Sequence, residues 1–514
     1  MTNTTNTNQE NFLRRAAGIA EPKSLRSIIF TLILTLFTLI GCRPSVEITN
    51  PINYYPGMNS RIDWPVVFKS YWNAMNNNYL FWDIDPTDWD AVYDTYDPKF
   101  ASMGISSYTD SDIYDKCANA YTYFKEMTAN LVDGHYGLSF VGGLLKETDI
   151  IEKHPKILVD YYKEVFGEEY TEQQILDKLD RKPSDFPYQI NGLKPLPGKT
   201  ARSKANEDKR NRLFQEFANS GNVWAGTVTV GSTDFIYNAD TMLSKYFPTD
   251  KASAANTDNL GNVTVKFVTG KRSITGGGHI LYFYFSAFAL RSALPTPTDP
   301  TDPNYPAAVL LSNVLDKEFK NPDLKGVVVD IRGNGGGALP DLSLFWGCFI
   351  NAPHTFAYTK QKAGAGRLDY TEDMPFRIFP APESDRVAND VKIALIVDRY
   401  SISCAEISAM IVKTMPGREH RVFGERTFGG TSPLVDHQIG YVEREGGITT
   451  PFAPAFWKQI YTPYAVLKCA DGNVYEGKGV PPDVTIESDE AYWTDFAAGT
   501  DKRLDEAIGW IEGN

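Results

Sequence analysis

The chain has 514 residues, of which 42% are hydrophobic and 22% charged, and this composition is typical of a globular protein with two or three domains. Its 64 acidic residues outnumber its 51 basic residues and give a net charge of −13. Because no basic stripe is available to neutralise phosphates, we expect no nucleic-acid partner.

A short apolar run stands near the N-terminus. Residues 28–40, IIFTLILTLFTLI, are too few to span a bilayer comfortably but suit the core of a signal peptide. Gly41 and Cys42 follow and resemble the lipobox of bacterial lipoproteins, whose cysteine is lipidated and becomes the new N-terminus. We therefore expect a signal peptide over 1–41, a lipid anchor on Cys42, a tether over 42–58 and an extracytoplasmic location at a bacterial membrane. The alternative is a plain signal peptide or membrane anchor with an incidental cysteine.

Helical patterns dominate residues 59–145. DWPVVFKSYWNAMNNNYLFW and SDIYDKCANAYTYFKEMTANL place apolar residues every three or four positions, which predicts amphipathic helices. Between them, Asp88 is a candidate N-cap of a further helix. The last helix ends at VDGHYGLSF, so this block ends in a Gly-His turn.

Residues 146–275 show a mixed pattern. TEQQILDKLDRK looks helical, whereas NVWAGTVTVGSTDFIYN and GNVTVKFVTGKR alternate like strands. We interpret this stretch as an accessory region or insertion.

Apolar strands alternate with helices over residues 276–514. HILYFYFSAF, KGVVVDIRGNGGG and VKIALIVD read as buried strands, and AAVLLSNVLDKEF and SCAEISAMIVKTM as helices. This alternation predicts an α/β core, with a mainly parallel sheet covered by helices on both faces. Sites in such sheets form where strands end, and both DIRGNGGG and DRYSISC stand at such ends.

Four cysteines follow Cys42, at positions 117, 348, 404 and 469. They lack the spacing of a zinc site, and their even number permits two disulfides in an oxidising compartment. We expect buried free thiols, and neither a metal nor another cofactor.

Four segments carry a family resemblance. VVVDIRGNGGG, YSISCAEI, GERTFGG and EGKGVPPDV, in this order, resemble the motifs of the C-terminal processing (tail-specific) family of serine peptidases. The resemblance covers about residues 279–490 and implies a ClpP/crotonase-like catalytic core acting on protein or peptide substrates. It implies that Ser403 is the nucleophile, at the point where a strand gives way to a helix. The local sequence also suits a plain N-cap role for Ser403.

The resemblance also implies the groups around the nucleophile. The N–H of Cys404 and that of Gly336 or Gly337 would hold the oxyanion, although a glycine run equally suits a tight turn. Many members place a lysine base in TFGKG, but here RTFGGTS puts Gly430 at that position. The chain is instead similar to the tricorn-core-like branch, in which a histidine from an Asp-Gly-His turn is the base.

This branch implies His135 as the base and Glu476 as the carboxylate that orients it. Asp133 is nearer in sequence, but a residue two positions before the histidine need not point at its ring. Glu406 is expected to make a structural bond.

Two other functions stay open. The same fold could serve a catalytically inactive lipoprotein that binds a peptide or another surface ligand. An enzyme acting on polysaccharides would need paired carboxylates, and no arrangement in the sequence singles out a pair. The family often carries a PDZ module, whose position here would be 146–275, but its carboxylate-binding loop is not recognisable there.

Overall fold

The computed structural model describes residues 61–140, 263–293, 305–364, 366–434 and 457–513, with short pieces at 153–154, 156, 226–230, 233–237, 244–247, 250–260 and 300–301. The predicted signal peptide, Cys42, the tether and most of the predicted accessory region lie outside the described residues. Within the part that is described, no helix is both long enough and apolar enough to cross a membrane.

The main helices, in chain order, are α1 (Trp64–Asn78), α2 (Trp89–Met103), α3 (Ile113–Met127), α4 (Leu290–Ala293), α5 (Tyr305–Asn313), α6 (Pro340–Trp346), α7 (Cys404–Thr414), α8 (Glu490–Ala497) and α9 (Lys502–Glu512). The strands are β1 (Arg61–Asp63), β2 (Ile105–Ser107), β3 (Gly137–Phe140), β4 (Gly226–Val230), β5 (Thr233–Tyr237), β6 (Asp250–Leu260), β7 (Val263–Ser273), β8 (His279–Phe285), β9 (Leu324–Asp330), β10 (His354–Lys360), β11 (Met374–Ile378), β12 (Lys392–Val397), β13 (His420–Gly424), β14 (Trp457–Tyr461), β15 (Val466–Cys469) and β16 (Val484–Thr485).

The main sheet has seven strands in the order β16-β13-β12-β9-β8-β7-β6. The pairs from β16 to β8 are parallel, whereas β8–β7 and β7–β6 are antiparallel. The predicted α/β core with a mainly parallel sheet is therefore confirmed. The sheet begins earlier than residue 276, because β6 and β7 form its outer edge; the domain divisions themselves stay predictions.

Each face of the main sheet packs against helices, which explains the near-continuous apolar strands. Successive residues of β9 alternate between the faces: Val327 and Val329 belong to the cluster with α5, α6 and α7, and Val328 belongs to the cluster with α8 and α9. A strand buried on both sides has no polar face, so its sequence shows no alternation.

The helical block forms a third cluster, rich in aromatic side chains of α1, α2 and α3. Asp88 caps α2 as predicted, because its Oδ1 accepts the Ala91 N–H at 3.0 Å. After α3 the chain turns into β3, which pairs antiparallel with β14. This pairing fixes the Asp133–His135 turn beside the segment that follows Tyr461.

The four cysteines of the described residues, at positions 117, 348, 404 and 469, are buried and unpaired. The expectation of buried free thiols is confirmed for them. Burial raises the pKa of each thiol to about 12, so none is a thiolate near neutral pH.

Candidate active site

The predicted nucleophile sits on a strained turn between β12 and α7. Ser403 has φ 56° and ψ −118°, and it is the one residue other than glycine with positive φ among the described residues. Such a conformation costs on the order of 1–3 kcal/mol and persists only where the surroundings hold it. The N–H of Ser403 donates to the Gly430 carbonyl at 3.1 Å and lies 3.2 Å from Glu406 Oε2.

A glycine loop follows β9 and packs directly against Ser403. Gly336 has φ +92°, and a Cβ placed on it would lie 2.6 Å from the Cβ of Ser403. No side chain fits there, which explains the glycine. Asp398 joins this loop to the serine turn: its Oδ1 accepts the N–H groups of Gly333 and Tyr400, both at 3.0 Å.

The contacts of the glycine loop discriminate between its two predicted oxyanion donors. The Gly336 N–H is already bound, because it donates to Asn334 Oδ1 at 2.9 Å. The Gly337 N–H and the Cys404 N–H have no acceptor within the described part of the chain. Phe288 N–H donates to the Gly336 carbonyl at 2.7 Å, which fixes the peptide plane that carries the Gly337 N–H. The geometry therefore favours Gly337 over Gly336.

The predicted histidine reaches the same site from the helical block. A Cβ placed on Gly134 would lie 2.6 Å from the Gly429 carbonyl oxygen, so the Asp133–His135 turn approaches the 429–430 backbone closely. A Cβ placed on Gly430 would lie 3.1 Å from Cε1 and 3.3 Å from Nδ1 of His135. Gly430 therefore contacts both the His135 ring and, through its carbonyl, the backbone of Ser403. The ring occupies the space that a side chain at position 430 would need.

The His135 ring has the protonation state of a base. Its Nδ1 atom is buried and has no hydrogen-bond partner among the described residues. Burial lowers the pKa of His135 to about 4, because the imidazolium would lose its hydration. The ring is therefore neutral near neutral pH and can accept a proton.

Glu476 lies next to the His135 ring, and its carboxylate accepts several hydrogen bonds from the protein. Its Oε1 accepts the Gly134 N–H at 2.8 Å, and its Oε2 accepts the N–H of Thr431 at 2.9 Å, the Thr431 hydroxyl at 3.1 Å and the N–H of Ser432 at 2.8 Å. Burial raises the pKa of Glu476, and these donors oppose that shift. A Glu476 oxygen and a His135 ring nitrogen lie within 4.8 Å. No hydrogen bond joins them in the described residues; such bonds are often long in ligand-free enzymes and tighten when substrate binds.

Glu406 makes the structural bonds that were expected of it. Its oxygens accept the Thr427 hydroxyl at 2.6 Å, the Gly429 N–H at 2.6 Å and the Gly430 N–H at 2.7 Å. Burial raises the pKa of Glu406 to about 8, against the effect of these donors. The side chain ties the 427–430 loop to the first turn of α7 and so fixes the backbone against which His135 packs.

Asp133 also lies in the site, which its spacing from His135 alone does not predict. A carboxylate oxygen of Asp133, a ring nitrogen of His135 and a carboxylate oxygen of Glu476 all lie within 4.8 Å of one another. Among the described residues, this is the one group of His, Cys, Asp or Glu side chains close enough together to hold a metal ion. Every carboxylate oxygen of Asp133 and Glu476 already accepts a hydrogen bond from the protein. These contacts suit a proton-transfer site better than a metal site. An Asp two residues before the histidine is a visible signal, but only the fold directs it inward.

The profile of peptidase family S41 matches residues 310–486, and that of the Tricorn protease C1 domain matches residues 60–104. The first match contains Ser403, Gly337 and Glu476. The segment 310–486, which carries the predicted site around Ser403, is therefore similar to peptidase family S41. This match agrees with the resemblance that the four sequence motifs carry.

Relatives and solved structures show the extent of the similarity. A "Probable CtpA-like serine protease" of Staphylococcus aureus is 25% identical over 165 residues, which cover 32% of this chain and 28% of the relative. The match therefore bears on a shared segment and not on the whole relative. The structure of mature CPAF complexed with lactacystin is similar with a TM-score of 0.48 at 10% identity, covering 88% of this chain and 99% of that one. The photosystem II D1 C-terminal processing protease has a TM-score of 0.36 at 15% identity, covering 86% and 98%.

Proposed function

We propose that this chain is a serine endopeptidase of peptidase family S41 that cleaves proteins or peptides through an acyl-enzyme. The observation that carries the proposal is the strained Ser403 turn. It is flanked by two backbone N–H groups that have no acceptor among the described residues, and by a neutral imidazole whose Nδ1 is buried. The strained turn costs about 1–3 kcal/mol of stability, and donors without acceptors cost more. A protein that only binds a ligand gains nothing from these costs, whereas an enzyme uses both features to stabilise a transition state.

The mechanism follows from these groups. The Ser403 hydroxyl attacks the peptide carbonyl while His135 takes its proton, and Glu476 stabilises the imidazolium that forms. The N–H groups of Cys404 and Gly337 bind the oxyanion, and the position of Cys404 at the N-terminus of α7 adds the favourable helix dipole. His135 then protonates the leaving amine. Water, activated by the same imidazole, releases the acyl group from Ser403.

Serine-directed labelling tests the proposal. Purified protein treated with a fluorophosphonate should carry one adduct, on the peptide that contains Ser403, and should lose in parallel its ability to cleave an unfolded protein substrate. The adduct forms because the phosphorus centre accepts the attack that a peptide carbonyl would accept. Absence of both cleavage and adduct would favour the inactive binding lipoprotein instead.

We further propose that Cys42 anchors the enzyme to a bacterial membrane outside the cytoplasm. The support is the 28–40 apolar run followed by Gly41 and Cys42. Expressed from the full sequence, the protein should incorporate labelled fatty acid and sediment with membranes, because acyl chains partition into lipid. Cys42→Ser should lose both properties, and Cys117→Ser should keep both. Equal fatty-acid incorporation in Cys42→Ser and the wild type would contradict the anchor.

A further inference from the structure

Two buried carboxylates face one imidazole. Asp133 is 1% exposed and Glu476 is fully buried, and both have an oxygen within 4.8 Å of a His135 ring nitrogen. Neither carboxylate has a Lys or Arg partner in an ion pair among the described residues. Two adjacent negative charges without a cation are strongly unfavourable away from water, so one of the two groups must be neutral or a cation must stand between them.

The hydrogen bonds distinguish the two carboxylates. Glu476 accepts from three backbone N–H groups, which can only donate and therefore favour the charged form. Asp133 accepts the His135 N–H on Oδ1 at 2.8 Å, but its Oδ2 contacts the Thr462 hydroxyl at 2.7 Å. A hydroxyl can reverse and accept a hydrogen bond, so the Oδ2 side of Asp133 has a place for a proton.

We propose that Asp133 carries a proton in the resting enzyme and, as a neutral acid, positions the turn that presents His135. The inference rests on the proposed function, since it concerns the base of that reaction. With Asp133 neutral, the ring faces the single negative charge of Glu476. If both carboxylates were charged, they would hold a proton on the ring and leave it unable to accept one from Ser403. Asp133 is thus a positioning residue that contacts neither substrate nor the reacting oxygen.

No Lys or Arg side chain is among the groups that shift the pKa of Asp133 in the described residues, and Glu476 is the charged one. Burial raises the pKa of Asp133, and the charge of Glu476 raises it further. Hydrogen bonds from Thr462, His135 and Tyr136 oppose this shift without reversing it. On the side of the helical block, the Tyr79 hydroxyl lies 3.3 Å from the Asp133 N–H and donates to Asp85 at 2.7 Å. Glu406 interacts unfavourably with Glu476 from the α7 side. These neighbours are neutral or acidic, with His135 as the basic group of the turn itself.

The pH dependence of stability tests the proton directly and needs no activity. In a Ser403→Ala background, which prevents self-cleavage, thermal unfolding is compared for Asp133, Asp133→Asn and Asp133→Ala between pH 5 and 8. A carboxyl whose pKa is higher in the folded than in the unfolded chain contributes stability at low pH and loses it as pH rises through that window. The Tm of both variants should therefore rise relative to the parent, by about 1 °C or more per pH unit. If the Tm difference between each variant and the parent stays constant from pH 5 to 8, Asp133 is ionised in the folded protein, and the proposal is overturned.

Labelling rates test the positioning role. With Ser403 present, Asp133→Asn preserves the shape of the neutral acid and can still accept the His135 N–H, so its fluorophosphonate labelling at pH 7 should stay within about threefold of the wild type. Asp133→Ala removes that acceptor and should label about a hundredfold more slowly, because a small displacement of the base is costly. A hundredfold loss in Asp133→Asn, with its Tm maintained, would show that the charge is required and contradict the proposal. Failure of the wild type to label would overturn the proposed function, while the unfolding series would still decide the state of Asp133.

Discussion

Ser403→Ala should lower the rate of peptide hydrolysis by about 10⁴-fold or more and abolish fluorophosphonate labelling, because the acyl-enzyme can no longer form. The Ser403 N–H, which alanine keeps, donates to the Gly430 carbonyl and to Glu406 Oε2. The Ser403 side chain also takes part in a capping box with Glu406, and its loss should cost only about 1 kcal/mol. Alanine meets the same positive φ as serine, so the strain is unchanged. The Tm should therefore stay within about 2 °C of that of the wild type.

Ser401→Ala is the matched control, two residues away. The Ser401 hydroxyl is buried and donates to the Ile331 carbonyl at 2.8 Å. Its loss leaves that carbonyl without this donor and should cost about 1–3 kcal/mol of unfolding free energy. The adduct on Ser403 should still form in Ser401→Ala. Continued cleavage by purified Ser403→Ala would defeat the assignment of the nucleophile.

His135→Ala should lower the hydrolysis rate by about 10³-fold or more, because the hydroxyl loses its proton acceptor and the leaving amine loses its proton donor. The stability effect should be small. Lost packing destabilises the variant. The ring also takes with it a buried Nδ1 that has no partner in the described part of the chain, so the unfolding free energy should change by less than about 2 kcal/mol.

Gly430→Ala tests the same base without removing it. The new Cβ would stand 3.1 Å from His135 Cε1, so the ring must shift by a few tenths of an ångström. Hydrolysis should fall by about 10- to 100-fold, less than in His135→Ala. Steady-state rates of the two variants, compared with their Tm values, check both effects. A Gly430→Ala protein as active as the wild type would mean that the ring position does not matter.

The elements that carry Ser403 could be predicted because their information is local. The apolar run 392–397 and the helix after it are continuous segments, and the Asp88 cap acts over three residues. The outer strand β6 was missed, because its sequence DKASAANTDNL has neither an apolar run nor alternation. It is a strand because it pairs with β7, which in turn pairs with β8.

The finer features of the site depend on contacts that the sequence does not reveal. Glu476 accepts a hydrogen bond from the N–H of Gly134, a residue 342 positions away in the chain. The choice between Gly336 and Gly337 depends on the side chain of Asn334, which binds one N–H and leaves the other free of an acceptor in the described residues. The position of Asp133 two residues before His135 does not predict its contact with the ring, because spacing alone does not give a side chain its direction. The turn between α3 and β3 determines that direction.

The central claim is that the imidazole of His135 activates the hydroxyl of Ser403, and the pH dependence of fluorophosphonate labelling tests it most directly. Because burial lowers the pKa of His135 to about 4, the wild-type rate should rise as pH increases through about 4 and become level near pH 6. Below that pKa the ring is already protonated and cannot accept the proton of the Ser403 hydroxyl. In His135→Ala the rate should be low and should lack this step. Equal labelling rates with the same pH dependence in both proteins would contradict the account.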